Sequence, residues 1–509
     1  MAGGSLKHLE QTKTDIASIY LSDARPWVIG YSGGKDSTAV VRLVFEALME
    51  LPQEKRLKPV FVVSSDTLVE TPLVVNLIKD TLASMHDAAE GLKLPLNVAK
   101  PVVPRLDQTF WVNLLGKGYP APTRQFRWCT ERMKIDPVSE FITEKVAAFG
   151  EVVVVLGSRL EESSSRAQVM RKHRIQGSRL ARHTTLPNAY VFTPIDQWSA
   201  DDVWEYLFSG PAPWGGDHQA LFDLYKDSNA GECPLVIDSS TPSCGNSRFG
   251  CWVCTVVTKD RAMDGLIETG HTWLIPLQQF RNQLYETTLP DQKKNYRSAR
   301  RRDGSVTVVL KQDKPGKLGE PGKPVEEKHV LGPYRLEVRK KLLKQLLENQ
   351  KLVNENNPGE AYELITHDEL EQIRVEWRQD PNEPDWDDSV PRIFDEVMGA
   401  SQARQWQGTD DFIFGAEEAN LIRTLCAEHG IAPQLFMKLM EVEVSYEGYA
   451  RRSNVQVEIK ELLARDWGAD EELVKSVGEK KQRLYAADQE EQTAAQKYAR
   501  LTQELSDAA

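Results

Sequence analysis

The chain has 509 residues, with 63 Lys and Arg against 75 Asp and Glu, for a formal net charge of −12. A chain of this length holds roughly two to four domains with cores of their own, and its acidic balance excludes a protein that coats nucleic acid by general electrostatics, because neutralisation of phosphates by cations dominates such binding. The start, Met1 to His8, places no apolar segment behind a basic cluster, and no later stretch reaches the length of a membrane span, so a cytoplasmic protein with no membrane partner is expected.

The first element with a clear signature is the apolar run Trp27 to Tyr31, followed by Ser32-Gly33-Gly34-Lys35-Asp36-Ser37 and the helical pattern Thr38 to Met49. A buried strand that turns through glycines into a helix presents backbone N–H groups at a positive helix end, which suits a phosphate chain. The adjacent glycines do not fit the commoner P-loop spacing. Here Gly33 and Gly34 let the backbone wrap a pyrophosphate, Ser32 and Ser37 offer hydroxyls, Lys35 brings the countercharge and Asp36 can help hold Mg²⁺. The bland alternative is a solvated Gly-Gly turn with incidental polar neighbours.

Further strands follow at Pro59 to Val63, Leu96 to Val103, Glu151 to Gly157 and Tyr190 to Ile195, with helical stretches between them. Five apolar strands alternating with helices predict an α/β fold, a doubly wound parallel five-stranded sheet covered on both faces. Ligands of such sheets lie outside the carboxyl ends of the strands, where strand order reverses. That rule directs attention to Gly157-Ser158-Arg159 and Arg166 after the fourth strand. Two arginines there can clamp a polyanion by forked hydrogen bonds, although a helix start with a capping serine and an acidic first turn is the alternative.

Six cysteines occur, at 129, 233, 244, 251, 254 and 426. Cys251-Trp252-Val253-Cys254 is a CxxC, Cys233 and Cys244 precede it, and Cys129 follows a basic loop expected to reach the same crevice. Arginines nearby are expected to depress the thiol pKa values and favour metal ligation. Four such thiolates suit an iron–sulfur cluster or a structural zinc; buried bystander thiols are the alternative, above all for Cys426 in its helical pattern. The compartment excludes a disulfide framework, and the CxxC lacks the strand-to-helix setting of a thioredoxin pair.

From Lys259 to Lys328 the apolar strands are expected to stop, leaving a basic, Gly/Pro-containing insertion over residues 258–333. Its runs Lys293 to Arg297 and Arg300 to Arg302, with Tyr296 and Trp273, fit either a solvated linker or a local nucleic-acid contact. Residues 1–257 are then one domain holding the phosphate loop and the cysteines, and 334–509 a helical carboxyl-terminal region without a catalytic motif.

Taken together, the loop at Ser32 to Ser37, the segment Asp66 to Pro72, Arg127 to Thr130, Gly157-Ser158-Arg159 with Arg166, and Pro194 to Trp198 with Asp202-Val203-Trp204 resemble the phosphoadenosine-phosphosulfate reductase branch of the PP-loop ATP pyrophosphatases. Within it, the cysteines and the helical extension look most like the DndC-type sulfurtransferases of bacterial DNA phosphorothioation. The resemblance implies a nucleotide site built on Ser32 to Ser37, Asp66, Gly157 and Arg159, with Lys35, Asp36, Arg159 and Arg166 catalytic and ATP and Mg²⁺ bound. It also implies a 4Fe-4S cluster on Cys129, Cys233, Cys251 and Cys254, with Cys244 a substitute ligand or a sulfur relay. Implied partners are a cysteine desulfurase, other phosphorothioation proteins and DNA. Small sulfate-reducing relatives carry a reactive cysteine near the carboxyl end, and this chain offers none after Cys426. A sulfonucleotide reductase and a non-enzymatic ATP-binding scaffold remain the other two expectations.

Overall fold

The computed structural model describes residues 5–227, 250–311, 326–380, 382–385, 387–399, 404–407, 416–446, 454–464, 467 and 471–485. It divides into two compact units, the first made of 1–113, 121–288 and 345–370, the second of 114–120, 289–344 and 371–509.

The first unit is built on a six-stranded sheet: β1 (Trp27–Gly30), β2 (Val60–Val63), β3 (Leu96–Val98), β4 (Val152–Val155), β5 (Leu180–Arg182) and β6 (Ala189–Phe192), in the order β3-β2-β1-β4-β6-β5. Five strands are parallel, as their continuous apolar runs require. The sixth, β5, was not expected: it is a short antiparallel edge strand beside β6. β3 is also shorter than its apolar run, because Pro101 has no N–H for a ladder, and the chain rejoins β2 only where Val102 N donates to Ser64 O at 2.8 Å.

Alternation along the central strands supplies two cores. Trp27 and Ile29 of β1 and Val153 and Val155 of β4 pack with helices α1 (Ser5–Leu21), α2 (Lys35–Glu50) and α3 (Pro72–Gly91). Val28, Val152 and Val154 point to the opposite face, against Val138 and Ile142 of the helix Asp136–Phe149. β1 lies between β2 and β4, so strand order reverses beside it and the crevice opens at the carboxyl ends of β1 and β4.

The segment after Lys259 is more ordered than its composition suggests. It carries the helices Arg261–Glu268 and Ile275–Glu286 in the first unit. In the second unit, β7 (Thr307–Lys311) pairs antiparallel with β8 (Glu326–Val330), so strands do not stop where they were expected to. Trp273, expected to be available to nucleic acid, is buried and stacked on Tyr362 at 5.8 Å. Arg300 is buried too, and Arg302 pairs with Glu376 at 2.8 Å. The rest of the second unit is mainly helical; in it the buried Arg339 donates to Gly116 O and Asp380, and Trp377 Nε1 to Leu115 O at 2.7 Å.

Candidate functional site

β1 ends at Gly30, and the chain turns through Tyr31 to Gly34 into α2, which starts at Lys35. Gly33 has φ +71°, a left-handed conformation that other residues adopt only at a cost. Ser37 Oγ ties the turn together: it accepts from Ser32 N at 3.2 Å and donates to Gly34 O at 2.9 Å. Thr38 Oγ1 also donates to Gly34 O, and Lys35 N donates to Tyr225 Oη at 3.2 Å. Tyr225, on the helix Gln219–Asp227, was not singled out in the sequence, because its contact crosses 190 residues.

Lys35, Asp36 and Arg159 form a buried charged group. Lys35 Nζ donates to Asp36 Oδ2 at 2.9 Å and Arg159 Nε to Asp36 Oδ1 at 2.7 Å. Arg159 is 1% exposed, and its Nη1 also donates to Trp198 O at 3.3 Å. Its peptide N–H donates to Glu162 Oε1 at 3.0 Å. Asp36, expected to help hold Mg²⁺, therefore has both carboxylate oxygens engaged by cations. Gly157 permits this closeness, since a Cβ there would lie 2.7 Å from the carbonyl carbon of Asp36. Arg166 sits on the next helix, Ser164–His173; its side chain lies outside the described residues.

The loop after β2 connects the phosphate turn to the cysteines. Asp66 Oδ1 accepts from Leu68 N at 2.8 Å, which helps hold Leu68 at φ +62°. The next residues pair with the CxxC segment: Trp252 N donates to Val69 O at 3.0 Å, Thr71 N to Gly250 O at 3.2 Å, and Glu70 bridges to Cys251. Thr67 Oγ1 stands 3.4 Å from Cys251 Sγ. From the other side, buried Arg281 donates through Nε to Cys254 O at 2.8 Å and through Nη1 to Thr258 O at 2.9 Å, with a further bond to Val257 O. Aromatic rings surround this region, with Trp128 stacked on Phe110 and Trp111 packed against Trp252.

Cys129, Cys251 and Cys254 are free thiols that sense one another electrostatically. Burial pushes the Cys129 thiol up to about 12, the neighbouring Cys251 and Cys254 push the same way, and Lys134 opposes them. Burial also raises Cys251. The expectation of thiols acidified by arginines is thus corrected: Arg132 spends its guanidinium on Asn113 Oδ1 at 2.5 Å, and desolvation dominates. Glu70, whose carboxyl is raised to about 7 by burial, stands 3.9 Å from Lys134. Buried thiols grouped together would gain from a metal that takes their protons' place, so the donor chemistry fits a cluster. Among the described residues, however, no group of three or more His, Cys, Asp or Glu side chains is arranged to hold a metal ion. Cys233 and Cys244 lie outside the described residues, and Cys426 is buried on the helix Ala416–Glu428. No helix among the described residues is long and apolar enough to cross a membrane.

Residues 26–256 match the family model of the phosphoadenosine phosphosulfate reductase domain, which takes in the sheet, the phosphate turn and the CxxC. An uncharacterized protein of Methanocaldococcus jannaschii is 29% identical over 210 residues, covering 41% of this chain and 36% of that relative, so the chain spans about a third of its length. Among solved structures, FMN adenylyltransferase of Candida glabrata with FAD and inorganic pyrophosphate is similar over 42% of this chain and 62% of that one, at 15% identity and a TM-score of 0.25. The U34-tRNA thiolase NcsA of Methanococcus maripaludis, solved with its 4Fe-4S cluster, is similar over 56% of this chain and 84% of that one, at 14% identity and a TM-score of 0.26.

Proposed function

We propose that the protein is an ATP-dependent sulfurtransferase which cleaves ATP between the α and β phosphates and acts in DNA phosphorothioation. The observation that carries the reading is the contact of Arg159 with Asp36, which joins the loop after β4 to the phosphate turn after β1 at the switch point of the sheet. The family match over residues 26–256 supports the coarser part of this reading, ATP-dependent sulfur transfer. A phosphate oxygen of the acceptor attacks the α phosphorus, the α–β bond breaks and pyrophosphate leaves, stabilised by Lys35, Arg159, Arg166 and the N–H groups of the turn. A sulfur nucleophile then attacks the activated phosphorus and AMP leaves with the former non-bridging oxygen. If the sulfur arrives as a persulfide from a cysteine desulfurase, a thiol reductant cleaves the S–S bond and is itself oxidised to a disulfide. Cys129, Cys251 and Cys254, with Cys233, would hold a 4Fe-4S cluster, which when bound supplies iron and sulfide chemistry beside the nucleotide crevice.

DNA reaches the site with partner proteins, since the chain is acidic and several arginines of the basic run, Arg297, Arg300 and Arg302, are spent on internal contacts. The test uses cells that carry the partner proteins and the desulfurase. Digested DNA should contain sulfur-bearing dinucleotides by mass spectrometry, and these should vanish with Lys35→Ala. The domain match itself favours a second reading, a sulfonucleotide reductase. Release of sulfite from an adenylylated sulfate substrate by the purified protein supplied with a dithiol reductant, which is oxidised to its disulfide, with no sulfur in DNA, would select it.

A further inference from the structure

Asp196 follows β6 in the turn Pro194-Ile195-Asp196-Gln197-Trp198, at the carboxyl edge of the sheet that also carries the phosphate turn and Arg159. Its carbonyl accepts from Leu160 N at 3.0 Å, and two residues on, Trp198 O accepts from Arg159 Nη1 at 3.3 Å. Asp196 is therefore fastened to the loop that meets Asp36. The residue is 7% exposed, yet its buried Oδ1 has no hydrogen-bond partner. A buried carboxylate oxygen left unsatisfied is costly, and such a group in a native fold calls for a reason, a bound ion among them. The contrast with Asp36, the acid in the phosphate turn itself, is direct: Lys35 and Arg159 occupy both of its oxygens.

We infer that Asp196, and not Asp36, is the carboxylate that holds the divalent cation accompanying the nucleotide, with Asp36 serving as a positioning residue for Lys35 and Arg159. This rests on the reading that the turn at Ser32 to Ser37 binds ATP. Mg²⁺ is commonly held by one or two carboxylates together with substrate phosphates and retained waters, so a single protein carboxylate is enough. Its orphaned oxygen gains a partner only when metal and nucleotide are both present, and the two ligands therefore tighten each other reciprocally.

The test is calorimetric titration of the full-length protein with α,β-methylene ATP, with Mn²⁺ or with EDTA. For the parent, Mn²⁺ should tighten binding by about tenfold or more, within the usual range of ligand coupling. Asp196→Asn should erase that gain while keeping the EDTA affinity and the melting temperature; Asp36→Asn should bind more weakly in both conditions yet keep the gain. If Asp196→Asn does not fold, Asp196→Ser is read in the same way. Retention of the Mn²⁺ gain in both Asp196 variants overturns the inference, and so does equal weakening with and without metal, which would mean that the carboxylate accepts from the nucleotide itself. A parent that binds no analogue in either condition would instead remove the nucleotide reading on which the inference stands.

Discussion

Arg159 Nε donates to Asp36 Oδ1 across 123 residues of chain, at 2.7 Å and out of contact with solvent. The pair turns two strand-end loops into one wall of the crevice. Removing one member of a buried pair leaves an uncompensated charge and typically costs about 3–5 kcal/mol. Asp36→Ala should therefore lower the melting temperature clearly and also lower ATP turnover. Arg159→Lys keeps the charge but loses the fork, so it should stay folded with turnover reduced tenfold or more, an order-of-magnitude expectation. Thermal melts alongside pyrophosphate release separate the two effects.

The glycines offer a sharper contrast. A Cβ on Gly157 would meet the backbone of Asp36 and Ser37 at 2.7–2.9 Å, whereas one on Gly33 would meet the flexible side chain of Ile78 at 2.5 Å. Gly157→Ala should abolish nucleotide binding. Gly33→Ala should weaken it partially, by the conformational cost of φ +71°, roughly 1–2 kcal/mol, plus a clash that Ile78→Ala relieves. Equal losses in the two single variants would contradict this account of the turn.

Single Cys→Ser changes at 129, 233, 251 and 254 should each lose most iron and its visible absorption after anaerobic purification, whereas Cys426→Ser should match the parent. A stoichiometric zinc signal without iron would replace the cluster by a structural metal. Cys244→Ser tells ligand from relay: loss of iron marks a ligand, and retained iron with lost sulfur transfer marks a relay.

Stability should carry an acid limb from His218. Burial and the Arg42 guanidinium hold this imidazole down at about 4, with Asp217 opposing. Between the ordinary histidine value of about 6.5 and 4 the unfolded chain takes up a proton that the folded chain refuses, so stability falls as pH drops through that window and this contribution changes no further below it. His218→Phe keeps the ring packing on Trp214 and should flatten the decline in urea unfolding between pH 6.5 and 4. An unchanged decline would assign it elsewhere.

The parallel sheet was legible because its strands are unbroken β-branched runs, Val152 to Val155 above all, and the phosphate turn because glycine and serine spacing has a direct backbone meaning. β5 escaped notice since Leu180-Ala181-Arg182 is only three residues long and one of them is charged. β8, Glu326–Val330, reads as a solvated charge run and becomes a strand only because β7 pairs with it. Arg281 and Tyr225 had no local signal, and Thr67 and Asp196 lay inside segments noticed only as motifs; each acquires its role from a partner far along the chain or, for Asp196, from lacking one. The direction of the thiol shifts was misjudged for a related reason: basic neighbours are visible in sequence, whereas the burial that outweighs them is not.

The most direct test of the central claim is the fate of ATP. Purified protein incubated with ATP and Mg²⁺, with acceptor DNA and the partner proteins present, should release AMP and pyrophosphate in equal amounts. Lys35→Ala should reduce that release about a hundredfold or more. Formation of ADP and inorganic phosphate, or equal pyrophosphate release by the Lys35 variant, would contradict the assignment of the Gly33-Gly34 turn as the site of α–β cleavage.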